Sequence, residues 1–179
     1  MWKIEPFVED NIDLIMSWIP SQLELVMWSG HYFGYPLDKT HFESHYDFVM
    51  SDLAKRKMFL VRNKETNQPI GYFEYDNIHE INETAFISRF MVRPDHRNQG
   101  IGLSILDAIC EHGYTELNLH RLEAIVFDCN ENALKLFTKY GFKYEGCYRD
   151  FFKNGDKYWD CFQYGLLIEE WQDIVKRRN

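Results

Sequence analysis

Apolar residues change their spacing along the chain, and each spacing predicts an element of secondary structure. Alternation of apolar and polar residues is typical of a half-buried strand, whereas apolar residues three or four positions apart are typical of a helix with one buried face. The first third of the chain follows these two patterns in turn. They predict a strand over Trp2 to Val8, a helix over Asn11 to Ile19, a second short helix with a capping box of Ser21 and Glu24, and a helix over Asp38 to Lys55 with Phe42, Tyr46, Val49, Met50 and Leu53 on one face.

Strand patterns predominate in the rest of the chain, with helices interleaved between them. The polar pair Ser88-Arg89 interrupts one apolar strand pattern and permits a bulge, which would splay that strand. Asn154-Gly155 is the preferred pair for a tight primed turn between two strands. The predicted strands are Met58 to Arg62, Ile70 to Tyr75, Glu83 to Val92, Arg121 to Phe127, Phe142 to Phe152 and Tyr158 to Leu166, and the predicted helices are Gly100 to Leu117 and Asn130 to Tyr140, the latter ended by Gly141. This interleaving predicts an α/β or α+β sheet protein.

The composition predicts one folded domain over residues 1–179. With 45% hydrophobic and 17% aromatic residues the chain is too apolar to be disordered and long enough to bury a core. No segment approaches the ~20 apolar residues of a membrane helix, and charged residues among the first ten argue against a signal peptide. The four cysteines form no CxxC pair, so we expect free thiols in a reducing cytoplasm rather than disulfides or a zinc site.

The formal net charge of −8 narrows the class of partner. A nucleic-acid binder would show a basic patch, so the acidic balance disfavours that function. A negative field raises the local concentration of amines, which favours a cationic substrate. Solubility alone explains the charge equally well.

The most informative stretch joins the strand that ends at Val92 to the helix that begins at Gly100. The first turn of a helix exposes unpaired N–H groups and the positive end of the helix dipole, and an anion binds there readily. Gly100 and Gly102 leave room for phosphate oxygens to approach the backbone, and Arg97 adds a positive charge. The glycines by themselves fit a plain left-handed turn equally well. The stretch matches neither a Walker A loop nor the three-glycine dinucleotide fingerprint, so it predicts a phosphate-bearing ligand of another kind.

Two motifs in this order resemble the GNAT superfamily of N-acetyltransferases. The first is Arg97-x-x-Gly100-x-Gly102 after a Val-Arg-Pro strand end, and the second is Asn130-x-x-Ala followed by Lys-x-Gly-Phe ending at Phe142. Leu119-His-Arg-Leu, Glu-Gly at 145–146 and the late Asn-Gly hairpin are similar to the branch that contains ribosomal-protein and spermidine acetyltransferases. The match covers roughly residues 70–167.

The resemblance implies a single-domain GNAT-like fold. Its sheet would be mixed and mostly antiparallel, twisted, with about seven strands, splayed at the cofactor site and flanked by helices. It implies acetyl-CoA as cosubstrate, no metal, and a monomer or homodimer. The pantetheine arm would pair with the backbone of the fourth strand, the pyrophosphate would lie on helix N–H groups, and the amide of Asn130 would hold the pantetheine, although Asn130 equally predicts a helix N-cap. The implied cofactor-binding residues are Phe90, Met91, Val92, Arg97, Asn98, Gln99, Gly100, Ile101, Gly102, Leu103 and Asn130.

The reaction that the resemblance implies is acetyl transfer to a primary amine of a protein N-terminus, a polyamine or an aminoglycoside. The amine must lose a proton before it attacks, and a nearby carboxylate can accept it. Glu74 and Glu123 are the candidates, because their strands border the expected cleft. Many family members carry a tyrosine as the acid for the leaving thiolate, but Phe137 stands at that position here, and Tyr140 is interpreted as packed. This departure keeps an alternative open, a CoA-binding sensor or scaffold that has lost catalysis.

The aromatic run from Trp28 to Pro36 lies between two predicted helices. It fits either a mobile lid over the acceptor or a packed loop that plugs the open end of the sheet, and the second interpretation is slightly favoured. His41 and His45 have helical spacing but no third ligand, so zinc is not expected.

Overall fold

A computed structural model describes residues 1–51 and 55–178 of the chain. Short 3-10 turns at Glu9–Asn11 and Pro94–His96 precede the first and fourth helices. The elements in chain order are β1 (Trp2–Pro6), α1 (Ile12–Ser17), α2 (Gln22–Ser29), α3 (Lys39–Met50), β2 (Lys57–Asn63), β3 (Pro69–His79), β4 (Thr84–Val92), α4 (Ile101–Thr115), β5 (Arg121–Phe127), α5 (Glu131–Tyr140), β6 (Lys143–Asn154), β7 (Lys157–Leu167) and α6 (Ile168–Arg178).

All seven strands form one sheet in the order β1-β2-β3-β4-β5-β7-β6. Every neighbouring pair is antiparallel except β4 and β5, which are parallel. These two strands pair only where Thr84–Phe86 lies beside Arg121–Glu123, although β4 continues to Val92 and β5 to Phe127. The sheet therefore splays in the middle, and the predicted fold class, a mixed and mostly antiparallel splayed sheet with flanking helices, is confirmed.

Two hydrophobic cores cover the two faces of the sheet. Strand residues alternate between the faces, so along β3 Tyr72 and Glu74 face helices α1 to α3 while Phe73 and Tyr75 face α4. The core between the sheet and helices α1 to α3 is the smaller one and is rich in aromatic residues. The core beneath α4, α5 and α6 is the larger one. No helix in the described ranges is long and apolar enough to cross a membrane.

The predicted bulge in β4 is present. The register between β3 and β4 shifts between the pairs Tyr72–Met91 and Glu74–Ser88, and Arg89 has a φ of 48°. A positive φ is uncommon for a residue with a side chain, so the surrounding contacts must hold Arg89 in this conformation.

The buried face of helix α3 differs in part from the predicted one. The helix ends at Met50 instead of Lys55, Met50 itself is exposed, and the predicted core residue Leu53 lies outside the described residues. His45 is buried on the inner face instead. A pattern of apolar residues cannot identify this position, because a buried histidine is accommodated by hydrogen bonds rather than by its hydrophobicity.

Two local signals were partly wrong, and one helix was missed. The tight turn is Gly155-Asp156, with a positive φ at Gly155 only, which is the type II′ pattern and lies one residue beyond the predicted pair. The Ser21 side chain does cap α2 by accepting from the Glu24 N–H at 3.2 Å, but the Glu24 carboxylate turns elsewhere, so the capping box is only half formed. Helix α6 was not predicted, although Ile168, Trp171 and Ile174 pack against the core at helical spacing.

Candidate active site

The open end of the splayed sheet forms a fork between β4 and β5. One arm is residues 87–92 and the other is residues 124–127, which do not pair with each other. On the β4 side, Tyr72 pairs with Met91 and Gly71 with Val92, so only the edge that faces the fork lacks a strand partner. An extended ligand can pair with such an edge as an added strand, and Phe90, Met91 and Val92 lie along it as the predicted pantetheine contacts. That role stays a prediction.

The glycine loop, residues 93–100, leads from the end of β4 into α4. Gly100 is the N-cap residue of α4 with a φ of 77°, no side chain caps the first turn, and Asn98 is also left-handed with a φ of 59°. A Cβ built on Gly100 meets no described atom within 4 Å, so the space in front of this backbone is open. Uncapped N–H groups at a left-handed turn form a concavity suited to an anion.

Gly102 gives a second test of the predicted pyrophosphate cradle. A Cβ at Gly102 would meet the methyl groups of Leu136 at 3.5 Å and 3.9 Å, which is ordinary contact. The surrounding described residues would therefore accept a side chain at this position. The bare backbone at Gly102 is compatible with close approach of a phosphate, and the predicted role stays a prediction.

Arg97 is held by the protein in this structure. Its guanidinium donates to the carbonyl of Val92 at 2.9 Å, to the carboxylate of Glu24 at 2.7 Å and to the carbonyl of Trp18 at 3.4 Å. Arg97 thus braces the glycine loop against α2 and the segment before it. Three of its five N–H groups are engaged in this way, and one on each terminal nitrogen remains to donate to an anion. Its predicted role stays a prediction.

Asn130 caps α5, as the sequence predicts. Its side-chain oxygen accepts from the N–H of Ala133 at 3.2 Å. The side-chain NH₂ makes no hydrogen bond within the described part of the chain, so it is free to donate to a ligand. The two predicted roles of Asn130 are therefore compatible, and the cofactor contact stays a prediction.

Glu74 lies at the centre of a buried polar cluster. Its side chain is 0% exposed, and its carboxylate accepts from Tyr72 at 2.6 Å, from Nε2 of His45 at 3.1 Å and from Arg89 at 2.9 Å, with Arg56 in an ion pair at 3.6 Å. Burial raises the pKa of Glu74, but the hydrogen bond with His45 and the charge of Arg89 outweigh it and hold the pKa below its ordinary value. Glu74 is therefore an ionised carboxylate whose oxygens are already bonded.

The cluster reaches the surface through Tyr32. The Tyr32 hydroxyl lies 3.0 Å from Nδ1 of His45, and the Tyr32 ring lies under the Arg89 guanidinium at 4.7 Å. Tyr32 is 41% exposed, whereas His45 is 1% exposed. We call these six residues the Glu74 network: Tyr32, His45, Arg56, Tyr72, Glu74 and Arg89. Of this network only Glu74 was predicted from the sequence as a site residue, although a histidine on the apolar face of α3 was a signal for the rest.

Glu123, the second candidate base, lies at the closed end of the fork opposite Phe86. Its carboxylate accepts from Gln163 at 2.7 Å and from Arg121 at 3.1 Å, and its side chain is 13% exposed. By the alternation of strands, Glu74 and Glu123 project from the same face of the sheet, the face of α1 to α3. The structure does not bring them into one hydrogen-bonded cluster, and both roles stay predictions.

Phe137, at the position where a general acid was expected, is part of the larger core. Phe137 is 5% exposed and packs edge-on against Phe142 at 5.0 Å. Tyr140 is buried and donates to the carboxylate of Asp107 at 2.7 Å. Tyr140 is thus packed, as the sequence analysis interpreted it.

The aromatic loop, residues 28–36, crosses the mouth of the fork. At one end Trp28 donates to the carbonyl of Arg89 at 2.7 Å, and Phe33 is buried beneath it. Next along the loop, His31 stacks on Phe152 of β6 at 4.2 Å, and Phe152 in turn contacts Phe127 at the end of β5. The loop therefore contacts β4 directly and β5 only through Phe152 of β6, which supports the interpretation of a packed loop near the open end of the sheet.

No set of three or more metal-ligating side chains is found within residues 1–51 and 55–178. All four cysteines are free, with Cys110 and Cys161 buried and Cys129 and Cys147 exposed.

Comparison with known proteins relates this site to an enzyme family. The acetyltransferase (GNAT) family model matches residues 23–142 of the chain. An uncharacterised N-acetyltransferase of Bacillus subtilis (strain 168) is 32% identical over 82 residues, 46% of this chain and 48% of that protein. Spermidine N(1)-acetyltransferase of Escherichia coli (strain K12) is 28% identical over 111 residues, 62% of this chain and 58% of that protein. The chain thus spans about half the length of these curated relatives.

The fold has a solved counterpart over nearly its whole length. The crystal structure of spermidine N-acetyltransferase from Vibrio cholerae in complex with CoA and spermine superimposes with a TM-score of 0.82 at 20% identity, covering 96% of this chain and 98% of that one. At this level of identity the likeness concerns the fold.

Proposed function

This chain belongs to the GNAT family of acetyltransferases, and we propose that it transfers the acetyl group of acetyl-CoA to a primary amine by direct attack within a ternary complex. The observation that carries the proposal is the uncapped start of α4 at the end of the fork. There a Cβ built on Gly100 meets no described atom within 4 Å, so the backbone is open to a ligand, and no side chain caps the first turn.

The residues of the fork fit acetyl-CoA in three parts. The free edge of β4 at residues 90–92 would pair with the pantetheine arm, the N–H groups of residues 98–103 would hold the pyrophosphate, and the side-chain amide of Asn130 would donate to the pantetheine. When bound, acetyl-CoA supplies the thioester carbonyl that the amine attacks. Because β4 and β5 diverge beyond Phe86, such a ligand would lie between them.

The acceptor is proposed to be a cationic primary amine, with a polyamine as the first candidate. The relatives from Escherichia coli and Vibrio cholerae are named for spermidine. The net charge of −8 favours a positively charged substrate. A protein N-terminus and an aminoglycoside are the other two acceptors to be compared with it. We further propose that the protein acts in the cytoplasm as a monomer or homodimer, where its free thiols would stay reduced.

The transfer releases two protons from the ammonium form of the substrate. One must leave before attack, because an ammonium has no lone pair, and we propose that a carboxylate on the α1-to-α3 face serves this step, either Glu74 through its hydrogen-bonded neighbours or Glu123 directly. The other accompanies the departing CoA thiolate. Since Phe137 has no proton to give, water would protonate the thiolate.

The proposal is tested by an acetylation screen with purified protein and acetyl-CoA. The panel contains spermidine, spermine, an aminoglycoside, and peptides with either a free N-terminus or a free lysine side chain, and product is read both as free CoA thiol and by mass spectrometry. We expect CoA release and a mass gain of one acetyl group with at least one amine. Protein that binds CoA but acetylates no amine would support the second candidate function, a CoA sensor or scaffold, which the phenylalanine at position 137 favours.

A further inference from the structure

The Glu74 carboxylate does not touch anything outside the protein. It has no exposed surface, and its two oxygens accept from Tyr72, His45 and Arg89. An amine could reach it only by displacing one of these partners. A proton that ends near Glu74 must therefore pass through another group of the Glu74 network.

The charge of Glu74 decides which nitrogen of His45 carries a proton. An ionised carboxylate can only accept hydrogen bonds, and the lowered pKa of Glu74 supports the ionised form. Nε2 of His45 lies 3.1 Å from one oxygen and 3.3 Å from the other, so Nε2 must be the protonated, donating nitrogen. In neutral His45, Nδ1 then carries the lone pair.

The lone pair on Nδ1 points at Tyr32, the member of the network that lies nearest the surface. Nδ1 lies 3.0 Å from the Tyr32 hydroxyl, so the hydroxyl donates to Nδ1, and the Tyr32 oxygen keeps its own lone pairs for a donor from solvent or substrate. The order hydroxyl, imidazole, carboxylate is the arrangement in which a carboxylate orients a histidine that takes a proton from a hydroxyl. Tyr32 is the exposed member of this order.

Tyr32 also lies beside the fork. Its ring packs under the guanidinium of Arg89, the bulged residue of β4, and its neighbour His31 in the aromatic loop stacks on Phe152 across the mouth of the fork. An amine approaching a thioester along β4 would meet the Tyr32 hydroxyl on the α1-to-α3 side.

From this geometry we propose that Tyr32 is a catalytic residue that takes the proton of the substrate ammonium and passes its own hydroxyl proton to Nδ1 of His45, with Glu74 as the positioning residue. The inference rests on the proposed acetyl transfer. The N–H bond of the ammonium breaks, a new O–H bond forms at Tyr32, and the former hydroxyl proton bonds to Nδ1. The neutral amine then attacks the thioester carbonyl, the C–S bond breaks, and the second amine proton goes to the thiolate.

The charged and titratable groups around His45 come from several elements. Glu74 of β3 contacts His45 directly, and the guanidinium groups of Arg89 in β4 and Arg56 before β2 pair with the same carboxylate. Tyr72 of β3 and His41 of α3 border the same cluster, the former on Glu74 and the latter on the Tyr32 ring. After each turnover the relay resets when His45 returns the proton to solvent through Tyr32.

Two variants remove the relay without emptying the site. Tyr32→Phe keeps the ring under Arg89 and removes only the hydroxyl. His45→Gln keeps a donor toward Glu74 and an acceptor toward Tyr32 but takes no proton. Tyr35→Phe is the matched control, because Tyr35 is an exposed tyrosine of the same loop and makes no side-chain hydrogen bond within the described residues.

The measurement is kcat/KM against pH, with spermidine as the probe or, if another panel amine is acetylated faster, with that amine. Near pH 7 we expect a loss of about 100-fold or more for Tyr32→Phe and for His45→Gln, since a positioned proton acceptor contributes about 10²–10⁴-fold. The loss should shrink as the pH approaches the pKa of the amine, because free amine then needs no acceptor. The double variant should be no slower than either single one, because the two residues act as a unit. CoA affinity and Tyr35→Phe should match the wild type.

A loss that is equal at every pH, or no loss, would overturn the relay while leaving acetyl transfer in place. Wild-type protein that acetylates no panel amine would overturn the proposed function, and the role of the relay with it. The tautomer of His45 gives a reading independent of turnover. Nitrogen-15 NMR should show neutral His45 with the proton on Nε2, and a proton on Nδ1 would contradict the relay whatever the activity.

Discussion

The glycine loop and the Glu74 network lie on either side of β4, but they are built in opposite ways. The glycine loop and the first turn of α4 form a short continuous segment that uses backbone N–H groups and the absence of side chains at Gly100 and Gly102. The Glu74 network uses side chains from the aromatic loop, α3, β3, β4 and the residue before β2, and it depends on tertiary packing. A backbone site can be identified from local sequence, whereas a network of distant side chains cannot. The two should also fail in different ways when they are changed.

The largest expected effect is on stability, and it belongs to the Glu74 network. Glu74→Ala leaves Arg89 and His45 buried without their anion, and removing one partner of a buried ion pair costs about 3–5 kcal/mol. Urea unfolding should show this loss in the free energy of unfolding. Glu131→Ala, which removes an exposed carboxylate paired with Lys135, is the control and should leave that free energy nearly unchanged.

The contribution of Glu74 should also depend on pH with a definite sign. Because the folded-state pKa of Glu74 is lowered, its contribution is fully present above pH 4.5, the ordinary value for a glutamate, and is lost as the pH falls through the lower folded-state pKa. The stability difference between wild type and Glu74→Ala should therefore narrow in acid. A difference that widens below pH 4.5 would contradict the ionised state on which the assignment of His45 depends.

The next effect concerns the glycine loop and should appear in binding rather than in folding. CoA at ~100 times its dissociation constant should raise the free energy of unfolding of the wild type by roughly 2.7 kcal/mol. Gly102→Val places a branched side chain against the pyrophosphate and should weaken CoA binding at least tenfold, about 1.4 kcal/mol, as read by calorimetry.

Gly146→Val in β6 is the control, because a Cβ at Gly146 meets no described atom within 4 Å and the added side chain therefore has room. It should bind CoA like the wild type. Equal CoA affinity in Gly102→Val and wild type would remove the glycine loop from the phosphate site.

A smaller effect is expected where Arg97 joins the glycine loop to Glu24 of α2. A double-mutant cycle of Arg97→Met and Glu24→Gln should give a coupling energy in the free energy of unfolding of about 0.2–1 kcal/mol, the range for partly exposed pairs. If Arg97 acts on the cofactor through its charge, Arg97→Met should weaken CoA binding, and Glu24→Gln should not. Equal weakening in both single variants would assign Arg97 to bracing alone.

The smallest effect is expected at position 137. Phe137 packs in the larger core and donates nothing, so Phe137→Leu should leave acetyl transfer within about tenfold of wild type, measured as CoA thiol release. The loss of a general acid costs about 10²–10⁴-fold, so the two outcomes are separable. A loss above 100-fold with unchanged CoA affinity would show that position 137 takes part in the chemistry.

Most elements that depend on a local physical signal were predicted well from the sequence. The strand over Arg121–Phe127, the helix ended by Gly141 and the cap at Asn130 depend on neighbouring residues only, and they are confirmed. The bulge at Ser88-Arg89 followed from two polar residues inside an apolar run. The β6–β7 turn was misplaced by one residue, because Asn-Gly and Gly-Asp both suit primed turns and the strand register decides between them.

By itself the sequence determined the α/β class, the family motifs and the glycine loop, because spacing, turn chemistry and bare backbone are properties of contiguous residues. The splayed seven-stranded sheet was implied by the family resemblance that those motifs carry. Only the tertiary structure decided what Glu74 can touch. In the folded chain Glu74 is buried away from solvent and its oxygens have four polar neighbours. His45 is oriented so that one ring nitrogen faces Glu74 and the other faces Tyr32. These contacts join residues that are 13 to 29 positions apart in the chain, and a periodicity of apolar residues carries no information about which polar side chains will meet.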